Sequence, residues 1–225
     1  LGYEGFFKEG LKDSLWKFYS ESGKLKKQGS YSKDLKNGKW SVWFENGSLS
    51  HEGNYANDLE SGLWQSWYEN GQLKDEGNYS KGKLNGEWKG YYPNSSKNYL
   101  GSYENDLKID EWTYWFDNGK LDETGSYIIV EDSGFTLKTK KSVKDGIWTT
   151  YSEVDFEKTH EESYKKGVKS GVWKYYFPGG MVIANENTFK NGFLNGPSIS
   201  YTRRGQKTNE IHYKNNQKHG DFIVF

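Results

Sequence analysis

The sequence predicts an all-β fold, an elongated single-layer antiparallel sheet of about nine stacked β-hairpin units with a period of about 24–25 positions. The first observation behind this prediction is a tryptophan that recurs at a constant spacing through the first half of the chain. It occurs at Trp16, Trp40, Trp64, Trp88, Trp112, Trp148 and Trp173. The second is an aromatic residue three positions after each tryptophan, and the third is another aromatic ladder running from Phe7 to Tyr213. Fixed periods of this kind are typical of repeat proteins.

The amino-acid composition indicates a folded protein whose core is aromatic. Only 33% of the 225 residues are hydrophobic, but 18% are aromatic, and each aromatic side chain buries on the order of 150–250 Å². Disordered chains have few aromatic residues, so the mean hydropathy of −1.03 does not indicate disorder here. The 31 basic and 31 acidic residues balance, which argues against nucleic acid as a partner. No apolar run is long enough to predict a membrane-spanning helix.

Each unit is predicted to be one hairpin. The strand that holds the tryptophan ends in a dipeptide such as Asn46-Gly47 or Asn70-Gly71, which predicts a two-residue type I′ turn. The return strand carries a glycine, as at Gly53, and we expect a large aromatic side chain of the neighbouring strand to lie over it. A lone hairpin is marginally stable in water, so contacts between successive hairpins must supply the stability.

The repeats are predicted to form one continuous domain with an interruption. Regular repeats cover residues 1–127, an inserted or extended hairpin covers 128–143, and divergent repeats cover 144–225. The interruption is predicted because the interval between successive tryptophans lengthens there, from Trp112 to Trp148. The added residues read as two short strands around a turn at Ser133-Gly134.

The two ends of the chain carry further expectations. The last unit stops half formed at Phe225, so we expect an open strand edge through which the chain can self-associate. The chain begins at Leu1 rather than at a methionine, which predicts a preceding segment of unknown kind.

No catalytic site, metal site or cofactor is predicted. The chain has no cysteine, which excludes disulfides and thiolate ligands. Its histidines have no recurring metal-ligand spacing to one another or to carboxylates. They are His51, His160, His212 and His219. Neither a nucleophile elbow nor a phosphate-binding loop is present, and turns account for the glycines. The prediction is therefore a protein that is not an enzyme.

The repeat pattern Gly-x-Trp-x-x-aromatic-aromatic-x-Asn-Gly-x-Leu-x-x-x-Gly-x-Tyr, as in residues 38–55, resembles the bacterial MORN-repeat variant of YwqK-type antitoxins. The resemblance extends over about residues 7–225 and is closest within 30–127. It implies a non-enzymatic scaffold of stacked hairpins that binds a protein, in some cases a co-encoded toxin. MORN repeats at large have also been linked to phospholipid binding and to scaffolding at membranes.

Aromatic residues on both faces of the sheet supply the candidate binding residues. Side chains alternate along a strand, so Trp40 and Trp43 point to opposite faces. One interpretation is that the aromatic residues on both faces of the sheet belong to the core. The other is that the second row lines an exposed groove and binds the partner, since tryptophan and tyrosine are frequent hot-spot residues. That row comprises Trp43, Trp67, Tyr91, Trp115 and Tyr151.

Three classes of function remain open at this point. The prediction is a protein-binding scaffold, such as an antitoxin or immunity protein that neutralises a toxin. The first alternative is a cell-wall, carbohydrate or choline-binding array, in which aromatic cages hold a quaternary ammonium group. The second is a phospholipid scaffold at a membrane surface, against which the zero net charge argues. The cytoplasm is the expected compartment if the partner is a co-encoded toxin, with the cell envelope or secretion as alternatives.

Overall fold

The computed structural model describes residues 2–133 and 138–225, and every regular element within these ranges is a β-strand. The predicted all-β fold of antiparallel hairpin repeats is confirmed. The chain forms two compact units, Leu1–Leu107 and Lys108–Phe225. Within each unit the described strands form an open antiparallel sheet in which neighbours in the sequence pair with each other.

The described residues contain nineteen strands. Those of the first unit are β1 (Tyr3–Lys8), β2 (Leu11–Tyr19), β3 (Leu25–Ser32), β4 (Leu35–Trp43), β5 (Leu49–Ala56), β6 (Leu59–Trp67), β7 (Leu73–Ser80), β8 (Lys83–Tyr91) and β9 (Lys97–Glu104). Then follow β10 (Leu107–Trp115), β11 (Leu121–Ser133), β12 (Lys138–Tyr151), β13 (Lys158–Lys165), β14 (Val168–Lys169), β15 (Gly171–Tyr176), β16 (Ile183–Lys190), β17 (Phe193–Tyr201), β18 (Lys207–Lys214) and β19 (Gln217–Val224).

In both compact units the core is formed by the recurring tryptophans. A Cβ atom added to Gly29 would lie 2.1 Å from the indole of Trp40, which belongs to the next strand. The same overlap recurs at Gly5, Gly53, Gly77 and Gly125, against Trp16, Trp64, Trp88 and Trp148. The expected close approach of an aromatic ring to the strand glycine is therefore confirmed. Only a glycine leaves room for the ring against the neighbouring backbone.

Indole N–H groups tie most of the recurring tryptophans to the strand that they cover. Trp40 Nε1 donates to the carbonyl of Ser30, the residue after Gly29, at 3.0 Å. Trp16, Trp64, Trp88, Trp148 and Trp173 make the equivalent bond at 2.8–3.2 Å. A buried indole N–H needs such a partner. These bonds fix the orientation of the rings, so the core is specified although aliphatic residues are scarce.

Tyrosines stand between the tryptophans and complete an aromatic ladder. The Trp40 ring meets Tyr31 at 5.1 Å and Tyr55 at 6.1 Å, with interplanar angles of 88° and 85°. Edge-to-face contacts of this kind contribute about 0.5–1.5 kcal/mol beyond the area they bury. Each ring pair joins neighbouring strands, so the ladder continues from hairpin to hairpin within a unit.

The structure corrects the predicted turn type. At Asn46-Gly47 only the glycine has a positive φ, of 89°, and Gly47 N donates to Phe44 O, so this loop is not a type I′ turn. Two successive positive φ angles occur instead in the polar link, at Asn57 (51°) and Asp58 (67°). The prediction was wrong because asparagine and aspartate also tolerate the left-handed region, which makes Asn57-Asp58 an equally good type I′ sequence.

These polar turns also hold successive hairpins together. Asp58 N donates to Lys36 O at 3.0 Å, and the Asp58 carboxylate accepts from Lys36 N at 2.8 Å. Asp34, Asp106 and Asn216 make the same pair of bonds to the residues 22 positions before them. A side chain thus satisfies a backbone donor that would otherwise face solvent.

Replacing Asp58 separates the two contributions of this turn. We expect Asp58→Gly to lower the free energy of unfolding by about 1 kcal/mol, because it removes one hydrogen bond but tolerates the positive φ. Asp58→Ala should cost about 1–2 kcal/mol more, because alanine is strained in the left-handed region. Urea denaturation of the three proteins measures both differences, and equal losses for alanine and glycine would contradict the turn conformation.

Strands β11 and β12 are the longest in the described part of the chain. They pair continuously from Ile128 with Val143 to Ser133 with Lys138, so residues 128–133 and 138–143 lengthen a hairpin of the repeat series. The predicted turn at Ser133-Gly134 falls where residues 134–137 lie outside the described ranges.

The packing changes where the strand glycine is missing. Glu162 occupies the glycine position before Trp173, whose contacts with Tyr164 and Phe189 are tilted, at 56° and 49°, rather than edge-to-face. One repeat later the tryptophan itself is replaced by Ser198, whose hydroxyl donates to Asn187 Oδ1 at 2.7 Å. A polar pair therefore replaces the tryptophan–glycine pair.

Candidate functional site

The two faces of each sheet differ in how far their aromatic residues are buried. We call the face with the recurring tryptophans the ladder face, and the other the row face. On the ladder face six of the seven tryptophans are at most 7% exposed. On the row face lie the predicted binding residues Trp43, Trp67 and Tyr91 of the first unit, and Trp115 and Tyr151 of the second, all half-buried.

Each predicted binding residue is the last residue of its strand. Trp43 ends β4 and pairs with Leu49, and Trp67 ends β6 and pairs with Leu73. The three others end β8, β10 and β12 in the same way, and the register shifts at each of these positions. The structure thus gives the five residues one common place in the repeat. Neither Trp43 nor Trp67 makes a ring–ring contact within the described residues.

Glutamates accompany the aromatic residues of the row face. Tyr19, which ends β2, donates its hydroxyl to Glu4 at 2.7 Å, and Tyr201 donates to Glu186 at 2.8 Å. Burial, together with the Glu186 carboxylate, raises the pKa of Tyr201 to about 12. Tyr201 is therefore a neutral hydrogen-bond donor at physiological pH.

Ion pairs compensate part of this acidic character. Glu52 pairs with Lys39 at 2.9 Å and accepts a hydrogen bond from Ser41. Glu161 pairs with Lys158 at 2.7 Å. The row face therefore presents aromatic rings with charged groups of both signs around them.

Lysines that lie over the aromatic rings of the ladder face are a feature that sequence analysis did not identify. Lys36 Nζ lies 5.1 Å from the Trp40 ring centroid and 4.4 Å from that of Tyr55. Lys144 lies 3.9 Å from the Trp148 ring and also pairs with Glu123 at 2.7 Å. Each of these lysines stands four residues before its tryptophan, so a fixed offset in the repeat was the signal that could have revealed them.

Two of the histidines pack against aromatic rings. His51 stacks on Trp64 at 6.4 Å, and His160 meets Tyr175 edge-on at 5.0 Å. Burial, with a smaller contribution from Lys36, lowers the pKa of His51, so its imidazole is neutral at pH 7. Among residues 2–133 and 138–225, no three His, Cys, Asp or Glu side chains are grouped so that they could hold a metal ion.

In the described part of the chain, no helix has the length and apolar character needed to cross a bilayer.

Comparison with known families accords with this repeat geometry. The family model described as "MORN repeat variant" matches residues 12–33, 36–57, 60–81, 84–105 and 111–128. Each of the first four matches ends within the polar link that follows a return strand. No curated protein is significantly similar to the chain. Five tandem segments between residues 12 and 128 are therefore similar to the MORN repeat variant.

Proposed function

We propose that the chain is a non-catalytic repeat scaffold that binds a protein partner on its row face. The contact residues would be Trp43, Trp67 and Tyr91 in the first unit, and Trp115 and Tyr151 in the second. MORN repeats make up a repeat scaffold, of a kind that often binds membranes or proteins. Zero net charge makes an anionic membrane the weaker candidate.

The observation that supports this proposal is a difference between the two faces in the burial of their aromatic side chains. The ladder face already holds the core, with hydrogen-bonded indoles that are nearly inaccessible to solvent. Trp43 and Trp67 remain half-exposed at strand ends, although an indole exposed to water is unfavourable. Large aromatic side chains that are not needed for the core are the usual hot spots of protein interfaces.

Two matched double variants test the proposal. We expect Trp43→Ala/Trp67→Ala to keep its β-sheet circular dichroism but to lose a partner that the unmodified chain captures stoichiometrically from extract of the source organism. The control is Leu35→Ala/Leu59→Ala, which changes the opposite ends of the same two strands, where the leucines are 41% and 48% exposed. The control should retain the partner.

The captured protein is then purified and titrated against all three chains by calorimetry. A co-encoded toxin, the partner class that the resemblance implies, is the first candidate to test directly. Two results would contradict the proposal. One is unfolding of the Trp43→Ala/Trp67→Ala variant, which would make the row part of the core. The other is equal affinity of a folded variant and the control.

A further inference from the structure

Five lysines on the ladder face each place their ammonium group over at least two rings. In every case these include the tryptophan four residues later and the aromatic residue of the following return strand, and Lys108 also lies over Tyr114. The distances to the two centroids are 5.2 and 5.1 Å for Lys12, 5.1 and 4.4 Å for Lys36, 4.1 and 5.4 Å for Lys108, 3.9 and 5.8 Å for Lys144, and 4.1 and 5.2 Å for Lys169. An ammonium group within about 6 Å of an aromatic face is held by the ring quadrupole.

The third repeat has the rings but not the lysine. Glu60 stands four residues before Trp64, and it pairs with Tyr55 just as Lys36 pairs with Tyr31. The ring geometry is unchanged: Tyr55 and Tyr79 contact Trp64 at 5.1 and 5.9 Å. Within the described residues, no lysine or arginine lies over the Trp64 ring. Trp64 is also the one tryptophan of this ladder that is not buried.

A cavity of about 290 Å³ opens at this position. Tyr55, Trp64 and Tyr79 are among its walls, and Glu60 and Asp75 contribute carboxylates. Its volume is several times the roughly 30 Å³ that one water molecule occupies in the liquid, which leaves room for an ammonium group with an alkyl stem.

The two carboxylates lack a positive partner. Asp75 Oδ1 accepts a hydrogen bond from the Ser66 hydroxyl at 2.7 Å, which leaves its charge uncompensated. No cationic side chain of the described residues forms an ion pair with Glu60 or Asp75. His51, which also lines the cavity, is neutral at pH 7 for the reason given above. Aromatic walls together with two carboxylates are the environment that favours an organic cation.

We propose that this cavity binds an alkylammonium group from another molecule, namely the end of a lysine side chain of a partner protein. The five internal lysines are the template, because they occupy the equivalent pair of rings in five other repeats, whereas Leu84 stands at this position before Trp88. Glu60 leaves that place open in the third repeat and adds a charge that attracts the ligand. The site lies on the ladder face, so it is independent of the proposed contacts on the row face.

Titration with small cations tests the proposal on the full chain. The probes are Nα-acetyl-lysine methylamide, its Nζ-trimethyl derivative, choline, and the uncharged norleucine analogue, each followed by Trp fluorescence and NMR. We expect the lysine probes to bind with millimolar dissociation constants, and the norleucine analogue to bind at least about tenfold more weakly, because cation–π attraction and charge pairing are lost. Equal binding of the norleucine analogue would overturn the proposal, as would binding of choline alone.

Variants at Glu60 give a sharper test. Glu60→Lys should place its own ammonium over Trp64 and Tyr79, raise the melting temperature and abolish lysine binding. Glu60→Gln keeps the cavity open without the charge and should weaken binding at least about fivefold, so it serves even if the lysine variant does not fold. The control is Glu76→Gln on the row face, where the Glu76 carboxylate accepts a hydrogen bond from Gln65 at 3.0 Å. The affinity of this variant for the lysine probes should not change. Unchanged affinity in Glu60→Gln would refute the site.

Discussion

Replacement of Trp148 by alanine is expected to lower the free energy of unfolding by about 3–5 kcal/mol, the usual cost of removing a large buried aromatic side chain. Trp148 is 0% exposed, its Nε1 donates to Ser126 O at 3.1 Å, and its ring meets Tyr127 at 4.9 Å. The variant would also leave the Lys144 ammonium without the ring that it faces at 3.9 Å. Urea denaturation monitored by circular dichroism measures the loss.

The control for this experiment is Trp67→Ala, which removes the same side chain from a half-exposed strand end. It should cost less than about 2 kcal/mol, because less of its surface leaves water on folding. Equal losses for Trp148→Ala and Trp67→Ala would mean that the two faces contribute alike to the core, and the proposal that Trp67 is a contact residue would fail.

An alanine at Gly77 is expected to destabilise the first unit by about 3 kcal/mol, at the upper end of the usual cost of overpacking. Its Cβ would lie 2.2 Å from the Trp88 ring, and ordinary carbon–carbon contacts are about 3.5–4.0 Å. The ring must therefore move, which breaks the 3.2 Å bond from Trp88 Nε1 to Asn78 O. Thermal and urea denaturation of the variant test this expectation.

Two further variants isolate the steric cause. Gly62→Ala introduces a methyl group into open space at a φ of 69°, so it should show only the left-handed strain of about 1–2 kcal/mol. Trp88→Leu gives the Gly77 methyl group room, so Gly77→Ala/Trp88→Leu should be more stable than the sum of its single variants predicts. Strict additivity would mean that the glycine is required for another reason.

Much of the fold was predictable because the stabilising contacts have the same period as the sequence. A regularly recurring tryptophan and a glycine eleven positions before it, as with Gly53 and Trp64, specify strand, partner strand and register together. The predicted pairing and the close approach of ring and glycine are both confirmed. The type I′ turn was assigned to the wrong dipeptide, because Asn-Gly and Asn-Asp satisfy the same local rule. Strand pairing distinguishes them, since Ala56 pairs with Leu59 across two residues whereas Trp43 pairs with Leu49 across five.

The candidate sites could be predicted less completely from the sequence than the fold. The row from Trp43 to Tyr151 was predicted from alternation, and the structure shows its members at strand ends, where they are half-buried; that they bind a partner stays a proposal. The cavity at Glu60 was not predicted at all. The relevant signal in the sequence was a glutamate in place of a lysine at one position of the repeat. The effect of that exchange on the cavity depends on aromatic rings of two neighbouring strands.

The order of the strands and the residues of the core follow from the sequence alone, because both are local consequences of a short repeat. Each hairpin needs only its neighbours, so a single period of the repeat contains nearly all the information that positions Trp40 or Trp88. The burial of each ring and the opening of the cavity beside Trp64 depended on tertiary packing. Whether a lysine covers a ring depends on how its side chain packs against rings of two paired strands, such as Trp40 of β4 and Tyr55 of β5, and no local propensity encodes that packing.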